Sequence, residues 1–597
     1  MPKIEDYALL GDLHTAALVS STGSVDWLCL PRFDSPAAFA ALLHDDRAGH
    51  WRLAPNGADT CATRRYVGNT LVLETDWETQ EGSARVIDFM PPRSRTPHLI
   101  RIAVGLSGEV AMRSVLRLRF DYGRVVPWVR AEGNQIHAVA GPDLVRLISA
   151  VPLRGEHLET LADFTVRSGD RVAFVLSWAP SHAPDMEDAE AEQALSATAD
   201  FWAEWAGRAT YQAGPYNAAV DRSLITLKAL TYEPTGGIVA AATTSLPEEL
   251  GGIRNWDYRY CWLRDATYTL QALLAAGFRR EAGAWRDWLL RSIAGQPEAL
   301  QILYSIDGTR RLPEAELKWL AGYEGSSPVR TGNAASEQLQ LDVWGETLDA
   351  LFLARQAGLP ADRDAWALQV ALMNHLESAW QDPDNGLWEV RGDRQHFTHS
   401  KVLAWAAADR MARSVRTYGL PGPLLGWERL RDQIHNDVVT RAFDASRNTF
   451  TQAYGSSALD ASLLLIPRVG FLPATDSRVL GTIDAIRREL TEDGLLRRYQ
   501  TTETNDGLKG SEGLFVACSF WLVDALHASG QQRDAVDLFD RLLSLRSDVG
   551  LLSEEWDPVS QRQLGNTPQA FSHFALVVSA IQLHMASPAR SDNPMAR

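Results

Sequence analysis

Two glutamates stand where proton chemistry on a sugar could be done. Glu389 follows Trp388 in the run Asn385-Gly-Leu-Trp-Glu-Val390, and Glu554 lies in Leu552-Ser-Glu-Glu-Trp-Asp557. Splitting a glycosidic bond needs a proton for the departing oxygen and a base or nucleophile on the opposite face, and a pair of carboxyl groups normally supplies both. A ring beside an acid limits its hydration and helps it hold a proton. Glu555 and Asp557 are rivals for the role of Glu554. A lone Glu after a Trp is more often structural, so neither motif carries the reading alone.

A third stretch, Arg254 to Ala266, mixes four aromatic residues with three Arg and two Asp. A helix core would reject those charges, and a solvated face would not need Trp256, Tyr258, Tyr260 and Trp262. Sugars fit the mixture, since their C–H faces stack on rings and their hydroxyls bridge Asp and Arg. A buried Arg–Asp pair with aromatic packing is the structural alternative.

The surrounding elements decide whether these residues can meet. Short runs such as Val25-Asp-Trp-Leu-Cys-Leu30 and Val115-Leu-Arg-Leu-Arg-Phe120, separated by turn chemistry, predict an antiparallel β-sandwich over residues 1–185. His14, Asp26 and Asp34 within it read as turn or interface residues. An acidic, Ala-rich helix predicts a linker over 186–215. From 216 to 586 the pattern is helical, with twelve candidate helices that include starts near Glu337, Asp362, Ala458 and Gly513. They alternate between apolar all round, as in Phe515 to Val523, and amphipathic, as in Gln531 to Leu543. A helix apolar all round is buried and an amphipathic one faces water. The alternation predicts six inner helices inside six outer ones, an (α/α)6 barrel, which makes the whole chain multidomain α+β. In such a barrel the loops before the inner helices open on one end, where their Glu, Arg and Trp residues converge on a pocket. Residues 587–597 are expected to be a disordered tail.

Composition narrows the function classes. The chain has 597 residues and a net charge of −17, with no basic run, which argues against nucleic acid and anionic membrane as partners. The four cysteines form no CxxC and read as buried free thiols. The opening residues carry no basic-then-apolar leader, and no apolar run reaches about 18 residues. A cytoplasmic protein is expected, with a small saccharide as substrate and a homo-oligomer left open. His396 and His399 have no third ligand nearby, so no metal or cofactor is expected.

The motifs together resemble glycoside hydrolase family 15, the glucoamylase family, and within it the bacterial branch with a trehalase-like N-terminal region. The resemblance rests on Ile4 to Asp12, Gly23 to Ser35, Asn255 to Asp265, Gly386 to Glu389 and Ser553 to His573, and it spans nearly the whole chain. It implies an inverting, exo-acting α-glucosidase with Glu389 as general acid and Glu554 as general base. Arg264 and Asp265 would grip the terminal glucose, with Tyr258 and Trp262 walling the pocket. Leu387 and Trp388 would give backbone and ring contacts, and Arg498 would hold the sugar at the first subsites. Glu555 and Phe571 complete the implied site. Fungal members carry a second Glu where this chain has Val390 and a Trp where it has Phe571; both differences bear on linkage preference. Inversion implies carboxyl groups roughly 6.5–9.5 Å apart with a water between them, Glu389 protonated and Glu554 ionised. The N-terminal resemblance favours trehalose as substrate. Maltose, isomaltose or malto-oligosaccharides are the alternatives, and a sugar-binding protein without catalysis is a more remote one.

Overall fold

The computed structural model describes residues 1–58, 61–360, 363–504 and 506–585. The expected tail at 587–597 and the helix start at Asp362 lie outside the described residues.

The first half of the fold is built on one strand. His98–Arg117 runs for 20 residues and belongs to two sheets. Its first half pairs with Arg171–Pro180 and Gly82–Phe89, and its second half with Glu159–Arg167 and His50–Pro55. These pairings are all antiparallel, and the network they anchor holds fifteen strands. Trp51 from one sheet meets Phe174 from the other edge to face at 6.4 Å, so the two inner faces close on an aromatic core. The strand changes sheets near Gly108, where φ is +64°. A Cβ there would sit 2.0 Å from the Glu81 carbonyl oxygen, so only glycine permits the crossing.

After the strands come α1 (Ala191–Ala206) and α2 (Asn217–Ala229), then α3 (Leu263–Ala275), α4 (Arg279–Ile293), α5 (Asp342–Gln356) and α6 (Arg363–Ala379). The chain continues with α7 (Thr398–Tyr418), α8 (Leu424–Arg441), α9 (Ser477–Glu489), α10 (Val516–Ala528), α11 (Gln532–Leu543) and α12 (Ala570–Met585). The inner ring runs α3, α5, α7, a 3-10 turn at Ala461–Leu465, α10 and α12, and α12 closes on α3. Outside it, α2 lies on α12, α4 on α3, α6 and α8 on α7, α9 on the 3-10 turn and α11 on α10. Helix α10 is buried nearly all round, whereas α11 buries only Ala535, Phe539 and Leu542 along one stripe. That is the alternation the sequence predicts. One expectation fails: the helix starting near Ala458 is only a five-residue 3-10 turn. Asp460 caps its start through Ser462 N, and Pro467 prevents its continuation. Elsewhere the ring is tight. A Cβ on Gly345 of α5 would lie 2.3 Å from the Leu403 carbonyl of α7, so this glycine sets how closely the two inner helices approach.

The sheets and the barrel are bolted together beside the site. Trp27 Nε1 donates to the Ala242 carbonyl at 2.8 Å. Asp34 accepts from Arg32 and Ser305, and His14 packs edge-on against Tyr232, so both serve the interface. Helix α1 adds to the join: Trp205 stacks on Phe278 at 4.1 Å and donates to Glu281. Arg259 is the deepest bolt. Its guanidinium is fully buried, pairs with Asp257 at 2.7 Å, donates to the Ser35 carbonyl and lies over the rings of Trp27 and Tyr122. Removing one partner of a buried pair strands the other charge. Arg259→Leu is expected to destabilise the protein by about 3–5 kcal/mol, read as a lowered denaturant midpoint.

Candidate active site

The loops before the inner helices meet at one end of the barrel around a pocket of about 620 Å³, counted out to its open mouth. Glu389 and Glu554 both line it. Glu389 sits in a tight turn with φ at +59°, a conformation few non-glycine residues adopt and one that clusters at functional sites. Gly386 O accepts from its amide, and Gln338 donates to its carbonyl at 3.1 Å. The strain therefore aims the side chain. Trp262 Nε1 donates to Glu389 Oε1 at 2.6 Å, and Arg264 stands 3.9 Å away. Burial pushes the Glu389 carboxyl up from its usual range, while Arg264 and the indole N–H oppose that shift.

Glu554 is held from the other side. The Tyr258 hydroxyl donates to its Oε1 at 2.7 Å. Tyr258 and Trp262 meet edge to face at 5.2 Å, so one aromatic pair carries the hydrogen-bond donors to both carboxyl groups. Around Glu554 the chain buries an excess of acid. Arg498 binds Glu512 at 2.6 Å and Glu248 at 2.9 Å, and Arg254 binds Asp506 at 2.6 Å. Two guanidinium groups are not enough for Glu248, Glu512, Asp506, Glu554 and Glu555 together. Burial, then the Glu248 charge, pushes Glu554 up to about 8, and burial drives Glu555 well above its usual range. Burial and the neighbouring carboxylates thus oppose the ionised form that Glu554 is expected to take, and the Tyr258 donor favours it.

The other expected residues divide into two groups. Tyr258, Arg264, Trp388, Arg498 and Phe571 line the pocket. Arg264 lies over the Phe571 ring at 4.9 Å, and Arg498 lies over Trp388 while bound to its two carboxylates. Trp262, Asp265 and Leu387 stand behind the surface: Trp262 reaches Glu389, Asp265 accepts from Arg264 at 2.6 Å, and the Leu387 carbonyl accepts from Arg264 at 2.9 Å. Glu555 turns away from the pocket, fully buried, and accepts from Gly513 N at 2.8 Å. Asp557 spends its oxygens on the Val559 amide and the Ser560 hydroxyl in a turn. Neither is placed to rival Glu554. His399 faces Asp342 at 3.6 Å, and His396 stacks on Tyr454. Glu248, Glu512 and Glu555 lie close enough to hold a cation, but Arg498 already occupies that charge. Trp256, one of the four rings of the aromatic stretch, lines the pocket too, and so do Glu248 and Arg391, which the sequence does not mark as site residues. Glu248 carried a usable signal: it opens a charged, Gly-rich loop just before the aromatic stretch.

A pocket lined by two carboxyl groups with rings around them has the groups that giving and taking a proton on a sugar require. The comparisons with known proteins agree with that chemistry. Residues 214–581 match the profile of glycosyl hydrolases family 15, and residues 1–178 match the trehalase-like N-terminal profile. A trehalase of Mycobacterium tuberculosis (strain ATCC 25618 / H37Rv) is 41% identical over 98% of this chain and 90% of its own. A trehalase of Thermoplasma volcanium is 34% identical, covering 98% of this chain and 94% of its own. In fold, a bacterial glucoamylase bound to acarbose aligns with a TM-score of 0.72 at 12% identity, covering 97% of this chain and 94% of its own.

The raised Glu554 has a stability consequence. A carboxyl raised from 4.5 to about 8 binds more protons folded than unfolded, so its contribution is present below about 4.5 and is lost as pH rises through about 8. Glu554→Gln should therefore melt higher than the wild type at pH 8–9, and the difference should shrink towards pH 5. Calorimetry across that range checks it.

Proposed function

The chain belongs to glycosyl hydrolases family 15, and from that premise we propose that it is a trehalase, an inverting and exo-acting α-glucosidase. The observation that carries this reading is the likeness to trehalases along 98% of the chain, trehalase-like N-terminal region included, with Glu389 and Glu554 lining one pocket. Glu389 is the general acid: desolvated, backed by Trp262 and raised, it protonates the departing glycosidic oxygen. Glu554 is the general base, taking a proton from the water that attacks the anomeric carbon. Its tyrosine donor favours the anion it must become. Arg264, Trp388 and Phe571 shape the site of the glucose that is attacked. Tyr258 supports the base. The substrate is a small neutral saccharide, and a cytoplasmic setting fits four free cysteines. Among the described residues no helix is long and apolar enough to cross a membrane.

A panel of trehalose, maltose, isomaltose and maltotriose, with product anomers followed by NMR, tests the reading. Trehalose hydrolysed in water enriched in heavy oxygen should give equal amounts of β- and α-glucose before mutarotation, with the water oxygen on C1 of the β-glucose from the attacked unit and the bridging oxygen kept by the α-glucose that leaves. Failure to turn over trehalose, or α-glucose from the attacked unit, overturns it. Glu389→Gln and Glu554→Gln should each lower kcat by about 10²–10⁴-fold, the range general acid–base groups contribute, with sugar binding largely kept.

The pH profile carries a second expectation. One group must be protonated and the other ionised, so kcat/KM should be bell-shaped, with its alkaline limb near 8 and its acid limb above 4.5. Tyr258→Phe removes a donor that favours the Glu554 anion. It should move the alkaline limb to higher pH, and an unmoved limb would separate Tyr258 from the titration.

A further inference from the structure

One part of the pocket wall is built from a stack of ion-paired side chains. Trp256 and Arg391 line it. Arg391 follows Glu389 by two residues, and its amide donates to the Asp506 carbonyl at 2.8 Å. Its guanidinium lies over the Trp256 ring at 4.3 Å, and that of Arg330 does so at 4.6 Å. Trp256 is thus engaged by two cations and is not an open stacking platform. Its indole N–H is used as well, donating to Glu248 at 3.0 Å.

Glu314 locks this stack from behind. It takes both terminal nitrogens of Arg391, at 2.7 and 3.2 Å, stands 3.6 Å from Arg330 and accepts from the Ala334 amide. Arg330 donates to the carbonyls of Ile253 and Asn255. Glu314 and Arg330 lie near the two ends of a strap that leaves the barrel and returns, with Ala315–Glu316 paired to Arg330–Thr331. The far end of the strap is tied to the β-sandwich. Trp319 donates to the Tyr122 carbonyl, Gly322 N to the Leu43 carbonyl and the Tyr323 hydroxyl to the Pro2 carbonyl, each at 3.0 Å. A bidentate arginine–carboxylate pair of this kind is geometrically demanding, and it is fixed here at several points.

We propose that the Glu314–Arg391 pair, with Arg330 and Trp256, is the end wall of the leaving-sugar site and confines the enzyme to substrates whose leaving group is a single unextended sugar. The proposal rests on the hydrolase reading of the pocket and deepens it. A sugar attached beyond the leaving unit would have to part Arg391 from Glu314 or displace Trp256 from two guanidinium groups. The wall is rich in donors and acceptors, as suits a leaving glucose with all its other hydroxyls free.

The test uses trehalose and a trisaccharide in which trehalose carries one further α-1,4-linked glucose. The plain end of the trisaccharide can enter the attacked position, which sets the third sugar against the wall. Maltose and maltotriose form a parallel pair. The wild type should show kcat/KM at least 100-fold lower for the trisaccharide than for trehalose. Glu314→Ala should narrow that ratio at least tenfold, chiefly through KM for the trisaccharide. If Glu314→Ala does not fold, as judged by its melting temperature, Arg330→Met takes its place with the same ratio expected. A wild type that cleaves the trisaccharide within threefold of trehalose overturns the proposal, and so does a folded variant with an unchanged ratio. A wild type that ignores trehalose but prefers maltose over maltotriose by the same margin supports the wall while removing the trehalase reading.

Discussion

A buried guanidinium must be answered by a carboxylate, and this chain buries two of them five residues apart. Arg254 faces Asp506 in the acid cluster around Glu554, and Arg259 faces Asp257 against the β-sandwich. Between them Tyr258 is carried to Glu554, and just beyond them Trp262 is carried to Glu389. Pairing that is compulsory in a dry interior therefore sets the path of the segment. The path in turn sets the donors of both carboxyl groups. The stretch reads as neither core nor surface because it makes contact in several directions at once.

The same scarcity of solvent explains the charge state of the site. Five carboxyl groups and two guanidinium groups leave a deficit of positive charge that protons fill. The deficit falls on Glu554 and Glu555, which have no arginine of their own within bonding distance among the described residues. A hydrolase gains from this arrangement, since a desolvated carboxylate that loses its proton is a stronger base than one in water. The cost appears as reduced stability at alkaline pH, a familiar exchange at functional sites.

Much of this was legible in the sequence. Alternation of all-round apolar and one-sided helices predicts the nested rings, because burial on two faces or one is a property that a periodic pattern records. The pairs Trp388–Glu389 and Glu554–Trp556 were visible because acids beside rings are unusual. What was not legible depends on angles and totals. Pro467 cuts the helix expected from Ala458, and a hydrophobic run cannot show where a backbone turn will stop. Glu555 and Glu554 look alike in sequence, yet Glu555 begins the strand Glu555–Asp557 and accepts from the Gly513 amide, whereas Glu554, in the bend just before it, lines the pocket. The raised state of Glu554 depends on burial and on Glu248, which a loop brings in from a distant part of the chain. Arg391 and Glu314 were invisible for the same reason: nothing local marks an ion pair that spans two loops.

The strand His98–Arg117 and the bolt at Arg259 also bear on how such proteins can be rebuilt in evolution. The helical half is not a self-sufficient cassette. Lifted out, it would expose the Arg259–Asp257 pair, strip Arg259 of the Ser35 carbonyl and its covering rings, and leave the strap around Trp319 untethered. Replacing the sandwich with a foreign partner would demand matching carbonyls at the places now held by Ser35, Tyr122 and Leu43. Exchange of this half between lineages should therefore be rare, and the two halves should drift together.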